Sequence, residues 1–241
     1  MTILFTLLMI IHNLIFSNSL RTADQFGSKV VLDLSFDNLM PEKEIPSAIN
    51  QIIRIHSLNL YDYKHPFSIH LCNCNSKDRI MTRLQKEMRY QINQGMFKIH
   101  QQSYLDLFPN EKIVYLSPDA NRIMNEFDPG VIYIIGALVG KRRTKNSTFR
   151  KARQENIETM KLPISKYLKL RNGITRTMSF EGVFRVLCEM NKHGDWKTAF
   201  INSFYDHKFD WDDDQDVDDD QSDVDGQNYC QDENDQINLK H

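Results

Sequence analysis

The stretch Val131–Gly140 (VIYIIGALVG) decides the fold, because five consecutive apolar residues are followed at once by a glycine. A short apolar run of this kind, rich in β-branched residues, is typical of a strand buried inside a parallel sheet. Similar runs occur on both sides of it along the chain. Besides Val131–Ile135, the predicted strands are Lys29–Leu34, Phe67–Cys72, Phe97–His100, Ile113–Leu116 and Thr159–Leu162.

Segments with helical spacing of apolar residues separate these strands. Ile45, Ile49 and Ile52, for example, fall on one face of a predicted helix. The predicted helices are Glu42–Ile55, Asp78–Gln91, Asn121–Glu126, Ser147–Asn156, Ser179–Lys192 and Asp195–Phe204. The alternation of strands and helices predicts an α/β fold with a parallel sheet that is covered by helices on both faces.

Charge is unevenly distributed along the 241 residues. Asp210–His241 contains 13 acidic residues and one lysine, which leaves 19 acidic and 29 basic residues before Asp210, out of totals of 32 and 30. The chain before Asp210 therefore carries a net charge of about +10, which the overall charge of −2 conceals. This pattern favours an anionic partner such as nucleic acid, and the alternative is a solvated surface with a solubilising tail.

These patterns divide the chain into residues 1–27, 28–205 and 206–241. The first segment is apolar and is interpreted as a signal or anchor segment, a mispredicted start of the gene, or an extra helix. A mispredicted start of the gene is favoured, since a signal peptide normally has a positive charge before its apolar run and none is present here. The glycosylation sequon Asn146–Thr148 would suit a secreted chain. The acidic third segment has too few apolar residues to bury a core and is predicted to be disordered.

The four cysteines do not form the paired clusters that structural zinc sites need. Cys72 and Cys74 are separated by one residue, while Cys188 and Cys230 stand far from them. All four are predicted to be free thiols, and no metal site is expected.

Ligands of parallel sheets bind beyond the carboxyl ends of the strands. Ser117–Asp119, Gly136–Gly140 and Leu162–Pro163 stand at three such ends. Neither a GxGxxG fingerprint nor a GxxxxGK loop follows any predicted strand. A nucleotide-like ligand at these ends must therefore be held in another way.

Seven segments resemble, in the same order, those of the tRNA (purine-9-N1)-methyltransferase family, a branch of the knotted SPOUT-type methyltransferases. They are Val30–Met40 (VVLDLSFDNLM), His65–Asn73 (HPFSIHLCN), Tyr104–Ala120 (YLDLFPNEKIVYLSPDA), Ile134–Val139 (IIGALV), Thr148–Leu168 (TFRKARQENIETMKLPISKYL), Thr177–Leu187 (TMSFEGVFRVL) and Gly194–Phe200 (GDWKTAF). The resemblance covers roughly Ser28–Phe204. It implies a C-terminal trefoil knot, a rare feature among folds, and S-adenosylmethionine-dependent N1-methylation of a purine, guanine above all, at position 9 of tRNA.

The resemblance also implies that three loops hold the cofactor through backbone groups and apolar side chains. Carried over to this sequence, the cofactor-binding residues are Leu116, Ser117, Ile135, Gly136, Val139, Lys161, Leu162 and Met178. Such a site is physically reasonable, because adenine needs backbone donors and acceptors beside an apolar slot, and Gly136 permits a close backbone approach.

N1-methylation of guanine requires removal of the N1 proton, for which a carboxylate is a suitable base. The family usually has an aspartate directly after its IGGLV motif, where this chain has Gly140. Asp119 and Asp33 remain as catalytic candidates, although Asp119 could instead cap a helix and Asp33 could be structural. Three outcomes stay open: Asp119 or solvent accepts the proton, the substrate is adenine, whose N1 carries no proton, or the chain is a non-catalytic RNA-binding scaffold.

A dense basic block lies beside the predicted cofactor loops. It comprises Lys141, Arg142, Arg143, Lys145, Arg150, Lys151 and Arg153. Basic residues so arranged neutralise RNA phosphates, whereas a solvated helix face is the alternative. The flanking motifs favour contact with tRNA, whose purine must be exposed before its N1 can be reached.

The opening DLSFDNLM (Asp33–Met40) and the acidic tail are more similar to the nuclear and cytosolic branch of the family than to the mitochondrial branch that serves in tRNA 5′ processing. A nuclear or cytoplasmic location is therefore expected, with a mitochondrial one as the alternative. The expected partner is tRNA, and association with a membrane is not expected. A monomer is favoured over an obligate oligomer. A secreted or anchored protein unrelated to RNA is the third hypothesis.

Overall fold

The computed structural model describes residues 27–61, 66–93, 97–140, 145–170, 178–204 and 209–211. Seven strands form one parallel sheet in the order β3-β2-β1-β6-β4-β7-β5, and two more form a small antiparallel pair. The strands are β1 Lys29–Asp33, β2 Ser68–Cys72, β3 Lys98–Ile99, β4 Ile113–Leu116, β5 Arg122–Ile123, β6 Ile132–Gly136, β7 Glu158–Lys161, β8 Leu168–Leu170 and β9 Phe209–Trp211.

Eight α-helices lie within the described residues, and two short 3-10 turns, Asp37–Leu39 and Glu42–Glu44, precede the first of them. The helices are α1 Ile45–Tyr61, α2 Arg79–Glu87, α3 Arg89–Asn93, α4 Tyr104–Leu107, α5 Ser147–Gln154, α6 Ile164–Tyr167, α7 Phe180–His193 and α8 Trp196–Ser203. Ser179 and Asp195 cap α7 and α8, each accepting a backbone N–H through its side chain.

Both faces of the sheet are covered, as predicted. Successive side chains of a strand point to opposite faces, so Val30 and Leu32 join the larger core beside α1, α2, α7 and α8, whereas Val31 joins a smaller one. Tyr104 of α4 and Ala152 of α5 close the smaller core. The α/β fold with a parallel sheet is therefore confirmed.

The predicted helix Asn121–Glu126 is wrong. Arg122 and Ile123 instead form β5, which pairs with β7 at the edge of the sheet, and the Met124 N–H donates to the Lys161 carbonyl at 2.9 Å. The sequence Ser117–Asp119 is a typical helix start, but this pairing with a strand that lies 36 residues further on overrides that local signal.

Other boundaries also differ from the predictions. Asp78–Gln91 contains two helices, since α2 ends at Glu87 and α3 begins at Arg89. The first helix extends to Tyr61 rather than to Ile55. The short elements α4, α6 and β8 were not predicted, because four residues or fewer carry too little periodicity. Phe209–Trp211, which composition assigned to the tail, pairs with β8.

Three thiols are buried on the two sides of the sheet. Cys72 belongs to the smaller core and Cys74 to the larger one. Burial raises the pKa of both thiols to about 12, so they stay protonated at neutral pH. Cys72, Cys74 and Cys188 are thiols rather than members of a disulfide, as predicted, and Cys230 lies outside the described residues.

Within the ranges that the structure describes, no helix combines the length and apolar character needed to cross a membrane. The apolar segment before Gly27 and the acidic segment after Trp211 lie outside those ranges, so the interpretations of these two segments stay predictions.

Candidate cofactor and RNA site

Three neighbouring strand ends form one cleft. In the sheet β4 lies between β6 and β7, so the residues after Leu116, Gly136 and Lys161 meet at the same edge. Two adjoining pockets of about 200 Å³ each open there. They share Leu116, Pro118, Met178 and Val183, and together they reach the lower part of the range of about 300–1,000 Å³ that is typical of small-molecule sites.

The cleft brings together seven of the eight predicted cofactor-binding residues. The first pocket is lined by Leu116, Ser117, Pro118, Lys161, Leu162, Ile164, Ser165, Met178 and Val183. The second is lined by Leu116, Pro118, Asp119, Ile135, Gly136, Leu138, Gly140, Lys145, Thr148, Met178, Phe180 and Val183. Val139 is the exception, since it packs partly buried against the larger core.

Val139 nevertheless helps to fix the β6 loop. Its backbone N–H donates to the Sδ atom of buried Met40 at 3.3 Å. The turn that carries Met40 is held by Arg79, whose guanidinium donates to the Met40 carbonyl at 2.8 Å and to the Asp37 carboxylate at 3.0 Å. The DLSFDNLM segment therefore supports the cofactor loop from behind.

Gly136 is required by close packing. A Cβ atom at this position would lie 2.6 Å from Thr148 Cγ2, and 3.1 Å from both Phe36 Cε2 and the Tyr115 hydroxyl. These contacts leave no room for a side chain, and Gly136 itself lines the second pocket.

Gly136→Ala is expected to destabilise the protein by about 1–3 kcal/mol, because overpacking forces its neighbours to move. Thermal unfolding and calorimetric titration with S-adenosylhomocysteine measure the change in stability and in cofactor affinity. Thr148→Ser removes the methyl group that the new Cβ would meet and keeps the hydroxyl that bonds Ser117 Oγ at 2.8 Å. The double variant should recover part of the loss. A Gly136→Ala protein as stable as the wild type would contradict this interpretation.

Asp119 lines the second pocket beside Gly140 and Lys145. Its Oδ2 atom accepts the backbone N–H of Asn146 at 2.8 Å, just before α5 begins. The carboxylate thus contacts the residue before α5 and does not cap a helix that follows Asp119, because that segment forms β5. The same group faces the cleft, so this contact is compatible with a catalytic role.

Asp33 lines neither pocket and belongs to a buried polar network. Its carboxylate is fully buried and accepts from the Ser35 N–H at 3.1 Å, the Asn73 side-chain amide at 2.8 Å and the Tyr115 hydroxyl at 2.9 Å. Burial, reinforced by the negative charge of Asp33, raises the pKa of Tyr115 well above its ordinary value. The phenol therefore stays protonated and donates, and the geometry favours the structural role for Asp33.

Lys151 joins this network rather than the outer surface. Its ammonium forms an ion pair with Glu155, lies 3.9 Å from Asp33 Oδ2, and stands over the Tyr104 ring. Contact with phosphate would break these interactions, so the geometry does not support the predicted RNA-binding role of Lys151. Lys145, Arg150 and Arg153 are exposed, whereas Lys141, Arg142 and Arg143 lie outside the described residues.

Several lining residues were missed by sequence reasoning. Pro118, Leu138 and Thr148 lie within the quoted motifs but were not assigned to the cofactor, and their place in those motifs was the available signal. Phe180 and Val183 belong to α7, whose predicted helix was not assigned to the cofactor, and Ile164 and Ser165 belong to the unpredicted helix α6. In the described part of the chain, no group of three or more His, Cys, Asp or Glu side chains is placed to hold a metal ion.

Comparison with known proteins identifies relatives of this chain. A family model described as tRNA (guanine(9)-N(1))-methyltransferase TRM10/TRM10A matches residues 16–208. The tRNA (guanine(9)-N1)-methyltransferase of Schizosaccharomyces pombe is 38% identical over 176 residues, which cover 72% of this chain and 56% of that protein. The mitochondrial ribonuclease P protein 1 homolog of Drosophila melanogaster is 29% identical over 184 residues, which cover 76% of this chain and 41% of that protein.

Solved structures show the same fold. The crystal structure of full-length spTrm10 in complex with SAH superimposes with a TM-score of 0.65 and 36% identity, covering 73% of this chain and 93% of that one. A dual-specific Trm10 from Thermococcus kodakaraensis, at 18% identity and a TM-score of 0.54, shares the fold. The trefoil knot remains an implication of this likeness.

The chain spans about half the length of the curated relatives that it matches, from 41% to 63%. The family model, by contrast, matches a continuous range that contains all three strand ends of the cleft. The chain therefore belongs to the tRNA (guanine(9)-N1)-methyltransferase family, as its seven motifs predicted.

Proposed function

We propose that this chain is an S-adenosylmethionine-dependent enzyme that methylates N1 of the purine at position 9 of tRNA, guanine above all. One observation carries the proposal: the ends of β4, β6 and β7, which hold the predicted cofactor motifs, converge on a single cleft beside a basic helix. The S. pombe relative bears the name of this activity.

The cleft fits the cofactor in its chemistry. Leu116, Leu162 and Val183 offer apolar surface for an adenine ring, and Gly136, which has no room for a Cβ atom, lines the adjoining pocket. Lys161 and Met178 would complete the binding site. When bound, S-adenosylmethionine supplies an electrophilic methyl group. The remaining work of the chain is to position the purine and to remove its N1 proton.

Asp119 is the carboxylate that we propose removes the N1 proton. It lines the cleft, and the Asn146 N–H fixes one of its oxygens at 2.8 Å. A carboxylate held in this way would accept the N1 proton of guanine as the methyl group arrives. Lys145, Arg150 and Arg153 would neutralise phosphates of the same RNA, together with Lys141, Arg142 and Arg143.

The test is methyl transfer from labelled S-adenosylmethionine to tRNA transcripts, followed by mass mapping of the modified nucleotide. We expect 1-methylguanosine at position 9 of a guanine-9 transcript and none when that base is replaced by cytosine. An adenine-9 transcript tests the purine preference. A protein that binds S-adenosylhomocysteine but transfers a methyl group to none of the tRNAs would contradict the enzymatic proposal.

A non-catalytic scaffold is the second candidate, and Gly140 favours it. This residue stands where the family has aspartate, and its φ of 130° lies in the region that favours glycine. A side chain there is strained by about 1–3 kcal/mol, so the local backbone has departed from one suited to an aspartate.

Gly140→Asp distinguishes the two candidates. We expect the wild type to transfer methyl groups and Gly140→Asp to gain nothing, because the strained loop weakens cofactor binding. Initial rates and S-adenosylhomocysteine affinity measure both effects, with Gly130→Ala as a control at an exposed glycine outside the cleft. Activity that appears only in Gly140→Asp would show that the natural chain is a scaffold.

Location and assembly form part of the proposal. A nuclear or cytoplasmic enzyme is proposed from the likeness of the DLSFDNLM opening and the acidic tail to that branch of the family. Action as a monomer is part of the same proposal. Sedimentation with and without tRNA would test this.

A further inference from the structure

The outer face of α5 carries an aromatic ring among cations. Phe149 and Arg153 are four residues apart, which places them on one side of the helix, and Lys145 precedes Phe149 by the same interval. Lys145, Arg150 and Arg153 are exposed, and Phe149 is half-buried. The guanidinium carbon of Arg153 lies 5.8 Å from the centroid of the Phe149 ring. We call these four residues the α5 stripe.

Core packing does not account for Phe149. The opposite face of α5 makes the contacts with the body of the protein, through buried Ser147 and Ala152 and through the ion pairs of Lys151. Among the described side chains, Phe149 belongs to neither core and is not packed against either of them. Phe149 therefore presents part of its ring to solvent on a basic surface, where a ligand could cover it.

The α5 stripe begins at the cleft. Lys145 lines the second pocket together with Asp119 and Gly136, and Phe149 lies two residues inside the helix that follows. A purine that enters the pocket must first leave its stack, as bases reached by modifying enzymes generally do. The bases next to that purine in the RNA then each have one face without a stacking partner, beside α5.

We propose that Phe149 is a stacking platform for a nucleobase of tRNA that flanks the methylated purine, with Arg153 supporting its ring. This inference rests on the proposed function and adds a base-contacting residue to its RNA surface. The occupant is RNA because the α5 stripe contains three exposed cations and each can neutralise a phosphate. Aromatic rings with adjacent arginines are a recurring surface for unstacked bases.

The test is the affinity of the full chain for a guanine-9 tRNA at several salt concentrations. Phe149→Ala should raise the Kd about 5- to 150-fold at every salt concentration, which corresponds to the loss of one stacked base. The slope of log Kd against log salt should stay the same, because the ring binds no phosphate. Phe149→Trp, which restores a π-face, should return the affinity to within about threefold of the wild type.

Arg150→Gln is the matched control on the same helix. It should weaken binding and reduce the salt slope by about one, as the loss of a phosphate contact does. A tRNA with 2-aminopurine at position 8 or 10 identifies the stacked base, since its fluorescence should be quenched by the wild type and by Phe149→Trp but not by Phe149→Leu. The S-adenosylhomocysteine affinity of each variant reports on the integrity of the fold.

The outcomes separate the inference from the function on which it rests. Unchanged tRNA affinity in both Phe149→Ala and Phe149→Leu, with wild-type methylation intact, would overturn the platform and leave the methyltransferase proposal standing. A Phe149→Ala variant with a reduced salt slope would also overturn it, because the ring would then act only by placing Arg153. A wild type that binds no tRNA would overturn both.

Discussion

Asp119→Asn is expected to lower kcat for methylation of guanine-9 tRNA by about 10²- to 10⁴-fold, the usual contribution of a positioned general base. The asparagine oxygen can still accept the Asn146 N–H that Asp119 accepts at 2.8 Å, so the start of α5 keeps its anchor while the base is lost. Single-turnover rates with labelled cofactor measure the effect.

Two controls make this result specific to proton removal. The affinities for S-adenosylhomocysteine and tRNA should change by less than about threefold, and Asp106→Asn, at an exposed site on α4, should leave the rate unchanged. The N1 of adenine carries no proton, so any activity on adenine-9 tRNA should be insensitive to Asp119→Asn. A guanine rate within about threefold of the wild type would remove Asp119 from the mechanism and favour solvent as the acceptor.

Asp33→Ala is expected to reduce the free energy of unfolding by about 3–5 kcal/mol, as the removal of one partner from a buried charged network does. The substitution leaves the donors of Asn73 and Tyr115 without their acceptor and removes the anion that faces Lys151. Urea denaturation should show a lower midpoint with an unchanged m value.

The exposed Asp106→Ala control should change stability by no more than about 0.5 kcal/mol. A Tyr115→Phe variant and the double variant Asp33→Ala/Tyr115→Phe complete a double-mutant cycle. The two losses in free energy of unfolding should be non-additive, because both substitutions remove the same hydrogen bond. Methylation by Asp33→Ala should follow the folded fraction. An Asp33→Ala protein of wild-type stability that has lost only kcat would instead make Asp33 catalytic.

Sequence reasoning recovered the centre of the sheet better than its edges. The strands β1, β4 and β6 are apolar runs buried on both faces, and this signal is local. By contrast, β5 consists of Arg122 and Ile123, both exposed, and exists only because β7 offers it a partner. A two-residue edge strand carries no periodicity, so the helix-like sequence before it misled the prediction.

The same contrast separates the cofactor loops from the side chains that support them. The loops follow recognisable strands, so their convergence was predictable from the rule that parallel strands end at one edge. The burial of the Asp33 carboxylate and the inward direction of Lys151 were not predictable in this way, because both depend on how α5 lies on the sheet. A run of basic residues does not show which of its members turn inward.

The edge strands β3 and β5 have only two residues each, and this shortness affects how the protein behaves at high concentration. Unpaired edges of a sheet can template the addition of strands from other molecules, which leads to aggregation. Here the long, apolar strands β1 and β6 lie at the centre, and each edge exposes little backbone for such growth. The fold thus resists fibril-like self-association through geometry, independently of its charge.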